Sequence, residues 1–136
     1  MISIQLVPLS MIHQTWPLVE KFIDNALAWG DDDYTLDQAK QNLADGKWML
    51  VVAVRGGEEV IGASAVNIYN MPNDRVAFVV AMGGRLICND ETYEQFCTLL
   101  KSFGATKIQG VARESIARLW KRFGFKERYT LVEAKL

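Results

Sequence analysis

The sequence is poor in the residues that would announce a specialised chemistry. It has one histidine, His13, and two cysteines, Cys88 and Cys97, nine apart and in no C-x-x-C arrangement. A zinc site needs about four closely arranged ligands, so none is expected, and the two cysteines read as free thiols of a reducing cytoplasm. No apolar run approaches the ~20 residues that span a bilayer. The start, MISIQLVPLS, lacks the basic segment and longer apolar core of a secretory signal. Only three prolines stand among 136 residues. There is no low-complexity tract, no internal repeat and no linker, and no G-x-S-x-G or Walker pattern points to a hydrolase or an NTPase.

What is present suits one folded domain spanning residues 1–136. Half the residues are hydrophobic, and six Phe, four Trp and four Tyr argue against disorder. The formal net charge is −1, which argues against a nucleic-acid binder. That neutrality is a sum of two poles. Residues 1–100 carry six basic against thirteen acidic side chains, and residues 101–136 nine against three.

Periodicity sets out the elements. Ile2, Ile4 and Leu6 alternate as in a strand, and Pro8 ends it. Thr15 with Pro17 predicts a helix start, and Leu18, Val19, Phe22, Ile23, Ala26 and Leu27 share one face. Thr35 and Gln38 form a capping-box pattern for a second helix. Three strands follow, Trp48–Val54, Val60–Tyr69 and Val76–Met82, joined by Arg55-Gly56-Gly57-Glu58 and Asn70-Met71-Pro72-Asn73-Asp74 turns. Asp90 is the expected cap of a helix with Tyr93, Phe96, Cys97, Leu100 and Phe103 along one stripe. Lys107–Ala112 reads as a short strand, Ile116, Leu119, Trp120 and Phe123 as a last helix, and Phe125–Leu136 as a final strand. The order is β-α-α-β-β-β-α-β-α-β, an α+β fold.

That order, with the segment Glu114-Ser115-Ile116-Ala117-Arg118-Leu119-Trp120-Lys121-Arg122-Phe123-Gly124-Phe125, resembles the GNAT superfamily of acyl-CoA N-acyltransferases. Leu119, Arg122, Gly124 and Phe125 fall on the family's late motif, N-x-x-A-x-x-L-Y-x-K-x-G-F, with Ala117 one place from its alanine. The resemblance implies a mixed, mostly antiparallel sheet flanked by helices, and transfer of an acetyl group from acetyl-CoA to a small-molecule or protein amine. It implies a cleft between the fourth and fifth strands that admits the pantetheine arm, and a phosphate-binding turn opening the third helix. At that turn stand Met82, Gly83, Gly84 and Arg85, with Arg118 and Arg122 as further cations for the CoA phosphates. Asp31, Asp32 and Asp33, between the first two helices, would draw a cationic acceptor.

The departures are chemical. The phosphate-turn spacing differs, and Asp90 at the helix start would repel phosphate. Trp120 stands where many members carry a Tyr general acid, and an indole N–H donates a hydrogen bond but moves no proton near neutral pH. The motif's Asn is Glu114, and Arg75–Ala81 holds no carboxylate. Glu114 and Tyr129 remain as candidate acid–base groups. The family's closing pair of strands is reduced to one. Two functions follow: an acyltransferase that works mainly by positioning, with effective molarities reaching ~10⁵ M or more, or a catalytically degenerate binding or structural protein. Small diverged proteins of this pattern resemble ones of tailed phages. No membrane or nucleic-acid partner is expected, and a homodimer is open.

Overall fold

The computed structural model describes residues 1–28, 33–112 and 114–136. Five strands form one sheet in the order β1-β2-β3-β4-β5: β1 Ile2–Val7, β2 Met49–Arg55, β3 Glu59–Asn70, β4 Arg75–Gly84 and β5 Lys107–Gly110. The first three pairings are antiparallel and the fourth, β4 with β5, is parallel. The helices are α1 Ile12–Leu27, α2 Leu36–Ala44, α3 Asp90–Ser102 and α4 Glu114–Lys121. The mixed, mostly antiparallel α+β architecture expected from the sequence is present.

The continuous apolar run of β2 is explained by cover on both faces. Leu50, Val52 and Val54 pack with Val19 and Ile23 of α1 and Leu43 of α2. Val51 and Ala53 point the other way, to Phe96 and Leu100 of α3 and Trp120 of α4. Full burial of Ile23, Leu43, Leu50 and Phe96 contributes roughly 1.5–3 kcal/mol each.

Three expectations need correction. α1 starts at Ile12, not near Thr15, so Pro17 lies inside it; a short 3-10 turn, Leu9–Met11, leads the chain in. Pro17 still falls early enough to cost one bond rather than the helix. The cap of α3 is Asn89, not Asp90, because the Asn89 side chain accepts from Thr92 N–H. Residues 125–136 form no strand. Tyr129 and Leu131 alternate as strand residues should, but a strand exists only against a ladder partner, and β5 offers only four residues.

The capping box at Thr35 and Gln38 is formed as expected, with both reciprocal bonds. Both cysteines are free. No helix among the described residues is long and apolar enough to cross a membrane.

Candidate functional site

The sheet is split at one place. β4 and β5 run in register from Val76–Lys107 to Val79–Gly110, and there the pairing stops. β4 continues to Gly84, bonded to β3 alone. At the same level β4 bulges: Val66 of β3 opposes Val79 while Ala65 opposes Ala81, so Val80 is the extra residue. A bulge bends and twists its strand, and here it turns the end of β4 away from β5. The buried Ser64 hydroxyl donates to Ala81 C=O at 2.9 Å, securing a carbonyl beside the bulge. Beyond Val79, β4 has no ladder partner on its β5 side among the described residues.

Trp120 of α4 packs against Gly110, where the β4–β5 ladder ends. It is 8 % exposed, and a Cβ on Gly110 would lie only 3.2 Å from its indole Cζ3. Its ring packs on Phe125 at 5.3 Å. Glycine at 110 lets the indole lie this close to the strand.

The end of β4 and the turn after it are built for packing. A Cβ on Gly83 would fall 2.2 Å from the Phe22 carbonyl oxygen of α1, and one on Gly84 2.4 Å from Ile61 O. Gly84 also has φ +71°, a left-handed conformation that favours glycine. Arg85 N–H is donated to Ile61 O at 2.8 Å. Met82 packs into the α3 side of the core, where Leu86 and Ile87 are buried. Of Met82, Gly83, Gly84 and Arg85, only the Arg85 side chain is left facing solvent.

Beyond the turn, a cavity of about 420 Å³ lies between the start of α3 and the end of α4, lined by Cys88, Asn89, Asp90, Leu119, Arg122 and Phe123. Thr92 Oγ1 accepts from Cys88 N–H and Asn89 N–H at 3.0 and 3.2 Å, so the cap consumes several of the donors at this helix start. Arg122 faces the cavity, and Arg118 is exposed one turn earlier on α4. Arg85, Arg118 and Arg122 enter no ion pair among the described residues. Asp90 and Glu91 stand in the first turn of α3. They oppose an anion there, and the arginines favour it.

Tyr93 of α3 joins the two halves of this region. It stacks on Phe123 at 5.0 Å and meets Phe125 edge-on at 5.9 Å. Burial among these rings, with a hydrogen bond to Cys97, pushes its phenol up to about 12. It is therefore a packing phenol, not a proton shuttle at neutral pH.

The two candidate acid–base residues are both exposed. Tyr129 is 78 % exposed, with Arg128 over its ring at 5.6 Å, and it stands on the strandless tail. Glu114 opens α4, exposed, where its charge complements the helix dipole. Asp33 is exposed beside Tyr34, which meets Trp48 edge-on at 4.8 Å; Asp31 and Asp32 lie outside the described residues. His13 is exposed on α1. No group of three metal-binding side chains exists among the described residues. Sequence reasoning missed Ser64, whose signal was a single hydroxyl inside an otherwise apolar strand.

No protein-family model and no curated protein matches the sequence. Solved structures do match its shape. A ribosomal-protein-alanine N-acetyltransferase from Brucella melitensis biovar Abortus 2308 superposes at TM-score 0.70 with 14 % identity, covering 100 % of this chain and 99 % of the other. An aminoglycoside acetyltransferase from an uncultured soil metagenomic sample, in complex with sisomicin, gives 0.70 at 9 % identity over 99 % and 96 %. The aminoglycoside N-acetyltransferase AAC(6')-Iy in complex with CoA gives 0.67 at 11 % identity over 100 % and 95 %. Together with the split between β4 and β5, the likeness along the full length establishes that this chain has the fold of the GNAT acetyltransferases.

Proposed function

We propose that the protein is an N-acyltransferase that takes an acyl group, acetyl or a close relative, from CoA and passes it to an amine. The observation that supports this most is the coincidence of the Val80 bulge with the end of the β4–β5 ladder. An opened parallel pair leaves strand-edge N–H and C=O groups that an extended, amide-bearing chain can satisfy as an added strand would. The pantetheine arm is such a chain, and the backbone of residues 80–84 fits it. The CoA phosphates go to Arg122 and Arg118 at the α3–α4 cavity, with Arg85 across the turn; Met82, Gly83 and Gly84 hold the turn against α1 and β3.

The thioester supplies the activated acyl group. The rest is positioning by this chain. Ser64 holds the Ala81 carbonyl and so the shape of the bulge. Trp120 and Phe125 exclude water from the β5 side. Asp33, on the acidic pole, attracts a cationic acceptor. The acyl–sulfur bond breaks as the acyl–nitrogen bond forms, CoA leaves as its thiolate, and the amine proton passes to water.

A second reading has its own observation. The glycines of the turn are committed to packing, and Trp120 closes against Gly110. A protein that has lost CoA and kept the fold for binding or structure would look the same at these points. Calorimetry with acetyl-CoA separates the two. Binding at ligand near 100 Kd raises stability by ~2.7 kcal/mol, and Arg122→Ala weakens it roughly tenfold, the value of one charge-assisted phosphate contact. No heat and no thermal shift at millimolar acetyl-CoA rejects the acyltransferase.

A further inference from the structure

The segment between β4 and α3 has already used its donors. Arg85 N–H donates to Ile61 C=O, Cys88 and Asn89 N–H donate to the Thr92 hydroxyl, and Thr92 N–H donates to the Asn89 side chain. The carboxylates of Asp90 and Glu91 stand exposed in the first turn of α3. A pyrophosphate is held by free N–H groups and nearby cations. Here it would meet occupied donors and like charge. CoA brings a pyrophosphate and a ribose phosphate besides, so this surface suits the pantetheine arm better than it suits the rest of CoA.

The cations nearby have another use. Arg118, Leu119 and Arg122 are exposed together on α4, and Leu119 and Arg122 line the α3–α4 cavity with Phe123. Arg85 is exposed on the turn after β4. None of the three arginines enters an ion pair among the described residues. Leu119, an apolar side chain set among them, is 37 % exposed. Arginines around an apolar contact are what an acidic protein surface recognises, and a bare nucleotide has no use for the leucine.

We propose that the arm seated between β4 and β5 is carried by a small acidic carrier protein, which docks on Arg85, Arg118, Leu119 and Arg122 and is a better donor than free CoA. This rests on the acyltransferase reading above, because it takes the β4–β5 split as the seat of the arm. A carrier's arm hangs from a serine by one phosphodiester with a single negative charge. Arg122 balances that charge at the cavity without a phosphate cradle. Arg85 and Arg118 remain for the partner's carboxylates, and Leu119 for an apolar side chain between them. The acyl–sulfur bond breaks, the acyl–nitrogen bond forms, the carrier keeps the thiolate, and the amine proton passes to water.

The test is calorimetry of the full chain with acetyl-CoA, acetyl-phosphopantetheine, an acidic bacterial acyl carrier protein loaded with the same acetyl arm, and that carrier without its arm. The arm and the surface bind as one linked ligand, so the loaded carrier should bind at least ~10-fold tighter than acetyl-CoA or the unloaded carrier. Its affinity should fall between about 0.05 and 0.5 M salt as the surface charges are screened. Arg118→Glu, at an exposed site, should weaken the loaded carrier at least ~10-fold, and more than it weakens acetyl-phosphopantetheine, with melting unchanged. Acetyl-CoA that binds as tightly as the loaded carrier overturns the proposal and leaves the acyltransferase standing. So does a loaded carrier indifferent to Arg118→Glu. If no thioester binds in either form, both readings fall.

Discussion

Gly83 gives the sharpest test of how the turn after β4 is built. A methyl group there would stand 2.2 Å from the Phe22 carbonyl oxygen, about 0.8 Å inside the 3.0 Å below which something must shift. The obstacle is helix backbone, not a flexible side chain. Retreat of α1 would pull Val19 and Ile23, both fully buried, from the sheet. Overpacking of this kind costs about 3 kcal/mol, and stiffening of the unfolded chain returns roughly 0.4–1 kcal/mol. The net loss for Gly83→Ala is then about 2–3 kcal/mol, a fall in Tm of roughly 8–12 °C for a domain of this size. Gly56→Ala is the control. It has open space around it and φ +64°, so only the left-handed conformation is penalised, at about 1–2 kcal/mol less the same entropic return. Thermal melting of both variants by circular dichroism decides the matter. If Gly83→Ala melts no lower than Gly56→Ala, the glycine is not there for α1. If it also abolishes acetyl-CoA binding at unchanged Tm, the turn is a phosphate cradle after all.

At the β1 edge the Gln95 side chain accepts from Ile4 N–H at 2.9 Å and donates to Ile2 C=O at 3.0 Å. Gln95→Ala removes both bonds, and leaving the strand groups to water should cost about 1–3 kcal/mol; exchange of the Ile4 amide should accelerate well beyond that of Val51, and equal rates would show the edge is held some other way. The Asp74 carboxyl is held below its ordinary 3.8 by Lys107, with help from the Thr106 hydroxyl. A depressed acid stabilises the fold above its unfolded pKa, and that contribution is lost as pH falls through the lowered folded value. Carboxyl NMR titration should therefore find the Asp74 midpoint below 3.8 in the native protein and back near it in Lys107→Met; identical midpoints refute the pairing. Tyr93, pushed up to about 12 by burial, should be the last tyrosine to ionise in an absorbance titration, and Phe123→Ala should bring it down by opening its packing. A Tyr93 that titrates near its ordinary 10.0 would mean the aromatic cluster is not closed.

What local chemistry controls was readable from the residues in order. The Thr35–Gln38 box and the alternation of β1 depend on neighbours a few positions away, and each stands where its pattern placed it. The run Trp48–Val54 reads as a strand, while what covers its two faces is set by residues far along the chain. Distance along the chain hid the rest. Gly83 and Gly84 look the same in sequence whether they cradle an anion or admit a helix; the Phe22 carbonyl, sixty residues away, is what separates the two. Asn89 prevailed over Asp90 as the α3 cap because the geometry of the turn put its side chain, and not its neighbour's, within reach of Thr92 N–H. The Val80 bulge, at the level where the β4–β5 ladder ends, arises from the count of residues between two strands and leaves no mark in composition. The tail from Phe125 to Leu136 reads as a strand, yet it forms none, because a ladder needs a partner and β5 offers only four residues. Sequence alone determined the elements and their order as far as α4, since short-range sterics and hydrogen bonds set them. Only the tertiary structure decided which glycines serve packing and where the sheet splits, since those depend on groups that meet only when the chain is folded.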